Sequence, residues 1–188
     1  TVTYEDAASG VALLDPSDGT VADNDEAYLY NAAEVFLLAA GKPIYFATRI
    51  SFQEQNTDDA NVAVGVANAP IADFIIDNGG GLRASGTIIA VEKRDGETEW
   101  RLTTRNGTAT TSTLSRAAEG TAGVTDDLTL WQKIEIFVED SGLSTECYIT
   151  AKVNGRFLHD TDGDIIRHTR LVASATEMAA VLGVKNGS

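Results

Sequence analysis

Cysteine is nearly absent from this chain. Cys147 is the one example among 188 residues, so no internal disulfide can form, and no Cys and His spacing marks a zinc site. Basic residues are scarce as well. Lys and Arg number 14 against 28 Asp and Glu, a formal net charge of −14, and such a surplus repels phosphate backbones and anionic lipid heads. Neither nucleic acid nor a membrane surface is expected as a partner. Long apolar runs are missing too: the most apolar window, residues 32–40, carries Glu34 and is too short to span a bilayer. No basic start with an apolar core marks a signal peptide, and no membrane anchor is expected.

What is plentiful is strand-forming material. Val, Ile and Thr make up 47 of the 188 residues, and 17 Gly punctuate them at short intervals, which predicts an all-β domain. Val, Ile, Leu and Phe number 46, enough apolar substance for a core despite the charge. No repeat, low-complexity tract or linker divides the chain, so residues 1–188 read as a single domain, with 1–25 as an extended N-terminal arm.

Strands are predicted at Ala27–Tyr30 and at Ile44–Phe52, where Ile44, Phe46, Ile50 and Phe52 share one face while Arg49 and Ser51 take the other. Between them, residues 34–38 fit either a helix or a strand. Asn61–Ala67 alternates Val with Ala or Gly, and the small face lets a neighbouring layer approach closely. A meander follows over 86–94, 97–105 and 109–114, with Asp95-Gly96 and Asn106-Gly107 as two-residue turns. Leu130–Val138 directs Ile134, Ile136 and Val138 inward. Cys147–Val153 returns through Asn154-Gly155 into Arg156–Leu158, the clearest hairpin in the chain. Residues 170–185 stay open between a short helix capped by Ser174 with Glu177 and a strand over Val181–Lys185. About ten short strands without a long helix are the pattern of an antiparallel sandwich or jelly roll.

Chemistry is harder to find. Asp160, Asp162 and Asp164 surround Gly163 with His159 and His168 nearby, and alternating Asp can aim hard oxygens at Ca²⁺. The segment lacks the distal Glu of an EF-hand loop and reads first as a solvated turn, so no metal or cofactor is expected. Asp58-Asp59 and Asp126-Asp127 read as loop charges. Glu92, Asp95 and Glu97 do not alternate along one strand, as the acids of a retaining β-glucanase must to share a cleft, and no Gly-x-Ser-x-Gly or phosphate-cradling loop is present. Gly79-Gly80-Gly81 is a flexible loop. Trp100 and Trp131 lie in alternating segments and read as core or core-edge residues rather than sugar platforms. Cys147 reads as a small buried hydrophobe. Asn106-Gly107-Thr108 and Asn186-Gly187-Ser188 match the glycosylation pattern but read as turns. No enzymatic activity is expected.

Taken in order, Lys42–Ile50, Val62–Ala67, Trp131–Val138, Val153-Asn154-Gly155-Arg156 and Leu182–Gly187 form a familiar succession. Over residues 25–188 it resembles the concanavalin A-like, laminin G-like jelly-roll proteins that serve tailed bacteriophages as head decoration or cement proteins. The resemblance implies an antiparallel jelly-roll β-sandwich and a non-enzymatic role on the outer surface of the virion, bound to the major capsid protein and bridging its subunits. It also implies a homo-oligomer, with a trimer the first expectation from capsid symmetry. Related domains serve as lectins, so a carbohydrate-binding domain of a phage tail or cell surface is the alternative. In such jelly rolls a further apolar strand follows the Lys-Asn-Gly turn; here the N-terminal segment, a neighbouring chain or a continuation of the chain would have to take its place.

Overall fold

The protein, seen in a computed structural model, is described over residues 2–5, 11–16, 25–54, 59–69, 73–76, 79–116, 130–143, 145–172 and 175–186. Its strands begin with β1 (Val2–Glu5), β2 (Val11–Leu14), β3 (Glu26–Tyr30), β4 (Phe36–Leu38), β5 (Ile44–Ile50) and β6 (Ala60–Ala67). There follow β7 (Ile75–Ile76), β8 (Gly81–Leu82), β9 (Ile88–Lys93), β10 (Arg101–Asn106) and β11 (Ala109–Leu114). The last five are β12 (Gln132–Asp140), β13 (Glu146–Val153), β14 (Arg156–Phe157), β15 (His168–Leu171) and β16 (Thr176–Asn186). Among the described residues there is no helix, hence none long and apolar enough to cross a membrane.

Two antiparallel sheets face each other. The larger runs β11-β10-β9-β6-β16-β3 with β4 also on β16; the smaller runs β14-β13-β12-β5 with β15 also on β13. Neighbours that are distant in sequence, β6 beside β16 and β5 beside β12, give the crossovers of a jelly-roll sandwich. The expectation of an all-β antiparallel jelly roll is met. The space beside β16 is taken by β3, with Val184 opposite Ala27, so the N-terminal part of the chain supplies that neighbour. Near the N-terminus, β1 and β2 pair antiparallel, Val2 opposite Leu14.

Alternation explains the core. On β6 the Val62, Val64 and Val66 side chains meet Ile134, Ile136 and Val138 of β12 and Ile149 of β13 between the sheets. The small residues Ala63 and Ala67 turn the other way, where Phe74, Ile75 and Leu82 of the β7–β8 flap cover them in a second apolar cluster. Gly65 is the tightest point of that face: a Cβ there would lie 2.1 Å from the Ile89 carbonyl oxygen. Both alternatives for the last segment are resolved as strand over Thr176–Asn186, and residues 36–38 likewise. The Asn154-Gly155 turn has φ of 51° and 82°, the two positive values that a two-residue hairpin of this hand requires.

Several strand boundaries differ from the sequence reading, that of β10 by four residues. The strand expected from Glu97 begins only at Arg101, because the Glu97 amide closes a turn on the Arg94 carbonyl (3.0 Å) and Trp100 drops into the core against Phe52. The Gly79–Gly81 stretch is not simply loop, since Gly81 opens β8 against β7.

Candidate binding face

The outer face of the smaller sheet is built from alternate residues of its strands. Register sets Tyr45 beside Phe137, and Phe137 beside Thr150; one step along, Glu135 lies between Ala47 and Lys152, and Lys152 beside Phe157. Tyr45 and Phe137 rings stand 5.2 Å apart, and Phe137 and Phe157 6.4 Å apart, so three aromatic side chains run across the sheet. The Lys152 ammonium lies over two of them, 4.4 Å from the Phe157 centroid and 5.2 Å from that of Phe137. Arg167 lies over Tyr148 in the same manner at 4.7 Å.

Around this stripe the electrostatics are uneven. Glu135 accepts hydrogen bonds at 2.7 Å from both the Tyr45 hydroxyl and the Lys133 ammonium. The Lys133 bond, followed by that of Tyr45, holds the Glu135 carboxyl below its ordinary range. The same hydrogen bond, followed by burial, pushes the Tyr45 phenol up. Arg49, Lys152 and Arg167, by contrast, form no ion pair with any described residue. In a chain with twice as many acids as bases, this face thus carries Arg49 and Arg167 without an ion pair among the described residues, while Lys152 lies opposite Glu135 and its charge helps to hold that carboxyl ionised.

The residues singled out from sequence go elsewhere. Asp160 Oδ1 accepts the amides of Asp162 and Asp164, each at 3.0 Å, and closes its own turn, with the Gly163 amide on the Asp160 carbonyl at 3.1 Å. Among the described residues no three His, Cys, Asp or Glu side chains converge as metal ligands. His168 is not beside the Asp turn's carboxylates but buried between the sheets, bonded to Thr104 and Thr113. Glu92 is buried under Arg94 (2.8 Å) and the Thr103 hydroxyl, while Glu97 pairs with Arg101. Cys147 is buried, with its sulfur 3.8 Å from the Arg170 carbonyl, and burial raises its thiol pKa. Trp100 is fully buried as read. Trp131 is not: it is 48% exposed immediately before β12, because strand parity there sends it outward with Lys133 rather than inward with Gln132. Asp58, the pair Asp126-Asp127 and the Gly187-Ser188 end of one glycosylation pattern lie outside the described residues.

The aromatic and cationic composition of the outer face went unread in the sequence. A signal was present, in that Tyr45, Phe137, Tyr148 and Phe157 all occupy the parity opposite to the core residues of their strands.

The fold is an antiparallel β-sandwich, and the outer face of its smaller sheet carries an aromatic and cationic stripe. No protein-family model matches the chain, and no curated protein matches it in sequence. Among solved structures, the carbohydrate-binding module CBM66 from Bacillus subtilis is similar with a TM-score of 0.46 at 8% identity, over 100% of this chain and 89% of that one. At that degree of likeness, function has to be argued from this chain's own side chains.

Proposed function

We propose that the protein is a non-enzymatic binding domain that docks through the outer face of its smaller sheet onto another protein, as a capsid decoration protein on the outer head shell. The observation that carries this reading is the placement of Lys152 over Phe137 and Phe157. A ring already covered by an ammonium is a poor platform for a sugar, whereas clustered aromatics with Arg and few free acids are what protein interfaces concentrate at their centres. Arg49 and Arg167, which have no ion pair among the described residues, together with Lys152 favour an acidic partner surface, here the major capsid protein, whose adjacent subunits the domain would bridge. Repetition of weak sites over a shell would add up to resistance against rupture.

Two exposed strands also favour self-association. Tyr30 of β3 and Leu37 of β4 leave apolar area at the edge of the larger sheet, and a symmetric contact, a trimer as first expectation, would cover it. Light scattering of the free protein and of protein released from shells tests this, and a monomer in both rejects it.

The decisive test of docking is the copy number of this chain in purified particles, by quantitative mass spectrometry against the major capsid protein. A fixed ratio of hundreds of copies is expected. A few dozen copies would move the protein to the tail, and absence would remove the virion reading.

A specific observation favours carbohydrate binding as the second reading: Trp131 and the 54% exposed Tyr45 present rings that no cation among the described residues covers. A glycan panel with and without chelator decides it, since no binding across the panel removes it.

A further inference from the structure

A second cationic cluster lies on the opposite side of the molecule, on the outer face of the larger sheet. Register places Arg105 of β10 between Ile88 of β9 and Thr110 of β11, and that row continues through Ile88 to Ala67 of β6. Arg83 enters the same region from the flap. Its guanidinium donates to the Ala69 carbonyl (2.6 Å), the Ser85 carbonyl (3.1 Å) and the Asn68 carbonyl. All three acceptors are neutral, so the charge of Arg83 is positioned but not compensated. Arg105 is less satisfied still: its side chain makes no hydrogen bond or ion pair with any described residue, and its Nε is buried without an acceptor.

Such a pair is costly for the protein alone. A buried guanidinium donor without an acceptor loses hydration with nothing in return. Two like charges then add repulsion: burial first and Arg105 second lower the pKa of Arg83, and burial lowers that of Arg105. Arg170, bonded to the hydroxyl and carbonyl oxygens of Thr104, also feels the Arg105 charge. With 28 acidic residues in the chain, none of those described pairs with Arg83 or Arg105. An oxyanion supplies what these guanidinium groups lack: it accepts hydrogen bonds, carries negative charge and can face a guanidinium edge.

We infer that Arg105 and Arg83 form an oxyanion site at the rim of the larger sheet, taking a carboxylate, phosphate or sulfate group against the free edge of Arg105. The site is distinct from the docking face and does not depend on it. Guanidinium edges bind oxyanions through paired hydrogen bonds, which an ammonium cannot reproduce.

The test uses the full chain at constant ionic strength. Inorganic phosphate, sodium sulfate and glutarate are titrated in turn by calorimetry, with melting temperature as a second readout and chloride as the control. Binding of at least one oxyanion is expected, weakened about tenfold or more in Arg105→Gln and partly retained in Arg105→Lys. Response to phosphate or sulfate marks a free oxyanion as the ligand; response to glutarate alone marks an acidic side chain of a partner. Without ligand, Arg105→Gln is expected to be as stable as the parent or more so, because it removes an unpaired buried donor. Equal anion response in parent and Arg105→Gln, or a response shared by chloride, overturns the site, as does a marked loss of stability in Arg105→Gln. Shell binding through the other face would be unaffected by any of these results.

Discussion

His168 of the smaller sheet and Thr113 of the larger are joined by a side-chain hydrogen bond, with Nε2 3.0 Å from the hydroxyl. The other ring nitrogen, Nδ1, lies 3.0 Å from the Thr104 hydroxyl, so one imidazole ties two adjacent strands of the facing sheet. Burial first, and the Arg170 charge second, lower its pKa from 6.5 to about 4. The folded protein therefore holds a neutral ring, and the unfolded chain takes up the proton first as pH falls. Stability from this group is full above pH 6.5 and is lost as pH drops towards 4, by about 3 kcal/mol in all. Urea melts of parent and His168→Gln at pH 7.5 and 4.5 check it: the gap between them should shrink at the lower pH. A constant gap would show that the ring is not buried neutral.

Lys93 and Glu54 form an ion pair at 3.0 Å with both side chains out of solvent. The ammonium also donates to the Ala60 carbonyl (2.8 Å), and Glu54 accepts the Ala60 amide (3.0 Å), so the pair anchors the start of β6. Lys93→Met is expected to cost about 4 kcal/mol by stranding the carboxylate, and Lys93→Met/Glu54→Gln to recover part of that. Equilibrium unfolding of the four proteins of the cycle measures the coupling, and additive losses would contradict it.

Gly65 and Gly183 differ in what a methyl group would meet. At Gly65 it meets backbone, the Ile89 carbonyl at 2.1 Å; at Gly183 it meets the Tyr28 ring at 2.6 Å, a side chain that can shift. Gly65→Ala should thus cost about 3 kcal/mol or more and Gly183→Ala roughly 1 to 2. Chemical denaturation ranks them, and the reverse order would mean that β6 is less tightly covered by β9 than the geometry requires.

The docking proposed for the aromatic face would carry an ionic signature. Lys152→Glu should weaken shell binding at least tenfold, about 1.4 kcal/mol, and flatten its salt dependence, while the melting temperature stays within a few degrees. Co-sedimentation with empty shells over a salt series reads both quantities. Unchanged binding by Lys152→Glu and Tyr45→Ser together would move the contact to another face.

We assign Asp160 to the closing of its own turn. Replacing it by Ala should cost about 1 kcal/mol through the loss of the carboxylate oxygen that accepts both amides, whereas Asp162→Asn and Asp164→Asn should be nearly neutral. Millimolar Ca²⁺ should leave the melting temperature of the parent unchanged, and a rise abolished by Asp162→Asn would reverse the assignment.

The elements most legible in the sequence are those whose signal is local. Alternation placed Val62, Val64 and Val66 on one face and Ile134, Ile136 and Val138 on another, and Asn154-Gly155 specified a turn that needs two positive φ values. Less legible was the flap: Ile75–Ile76 and Gly81–Leu82 are too short for a period-2 pattern to show, and they are held by tertiary bonds such as the Lys185 ammonium on the Ile75 carbonyl (3.3 Å). Trp131 defeated the core reading because an aromatic at a strand start satisfies either face, and only the register of β12 against β5 decides which.

By itself, then, the sequence determined the all-β class, the main hairpins and which face of each long strand is buried, because side-chain alternation and turn stereochemistry act over a few residues. Only the tertiary structure decided that the Tyr45, Phe137 and Phe157 rings come together from three strands, and that Arg105 acts on the charge of Arg83 while Glu54, Glu92 and Glu97 pair elsewhere. The reason is physical: neighbours in a sheet are set by crossovers spanning tens of residues, and no local preference encodes which charges such crossovers bring together.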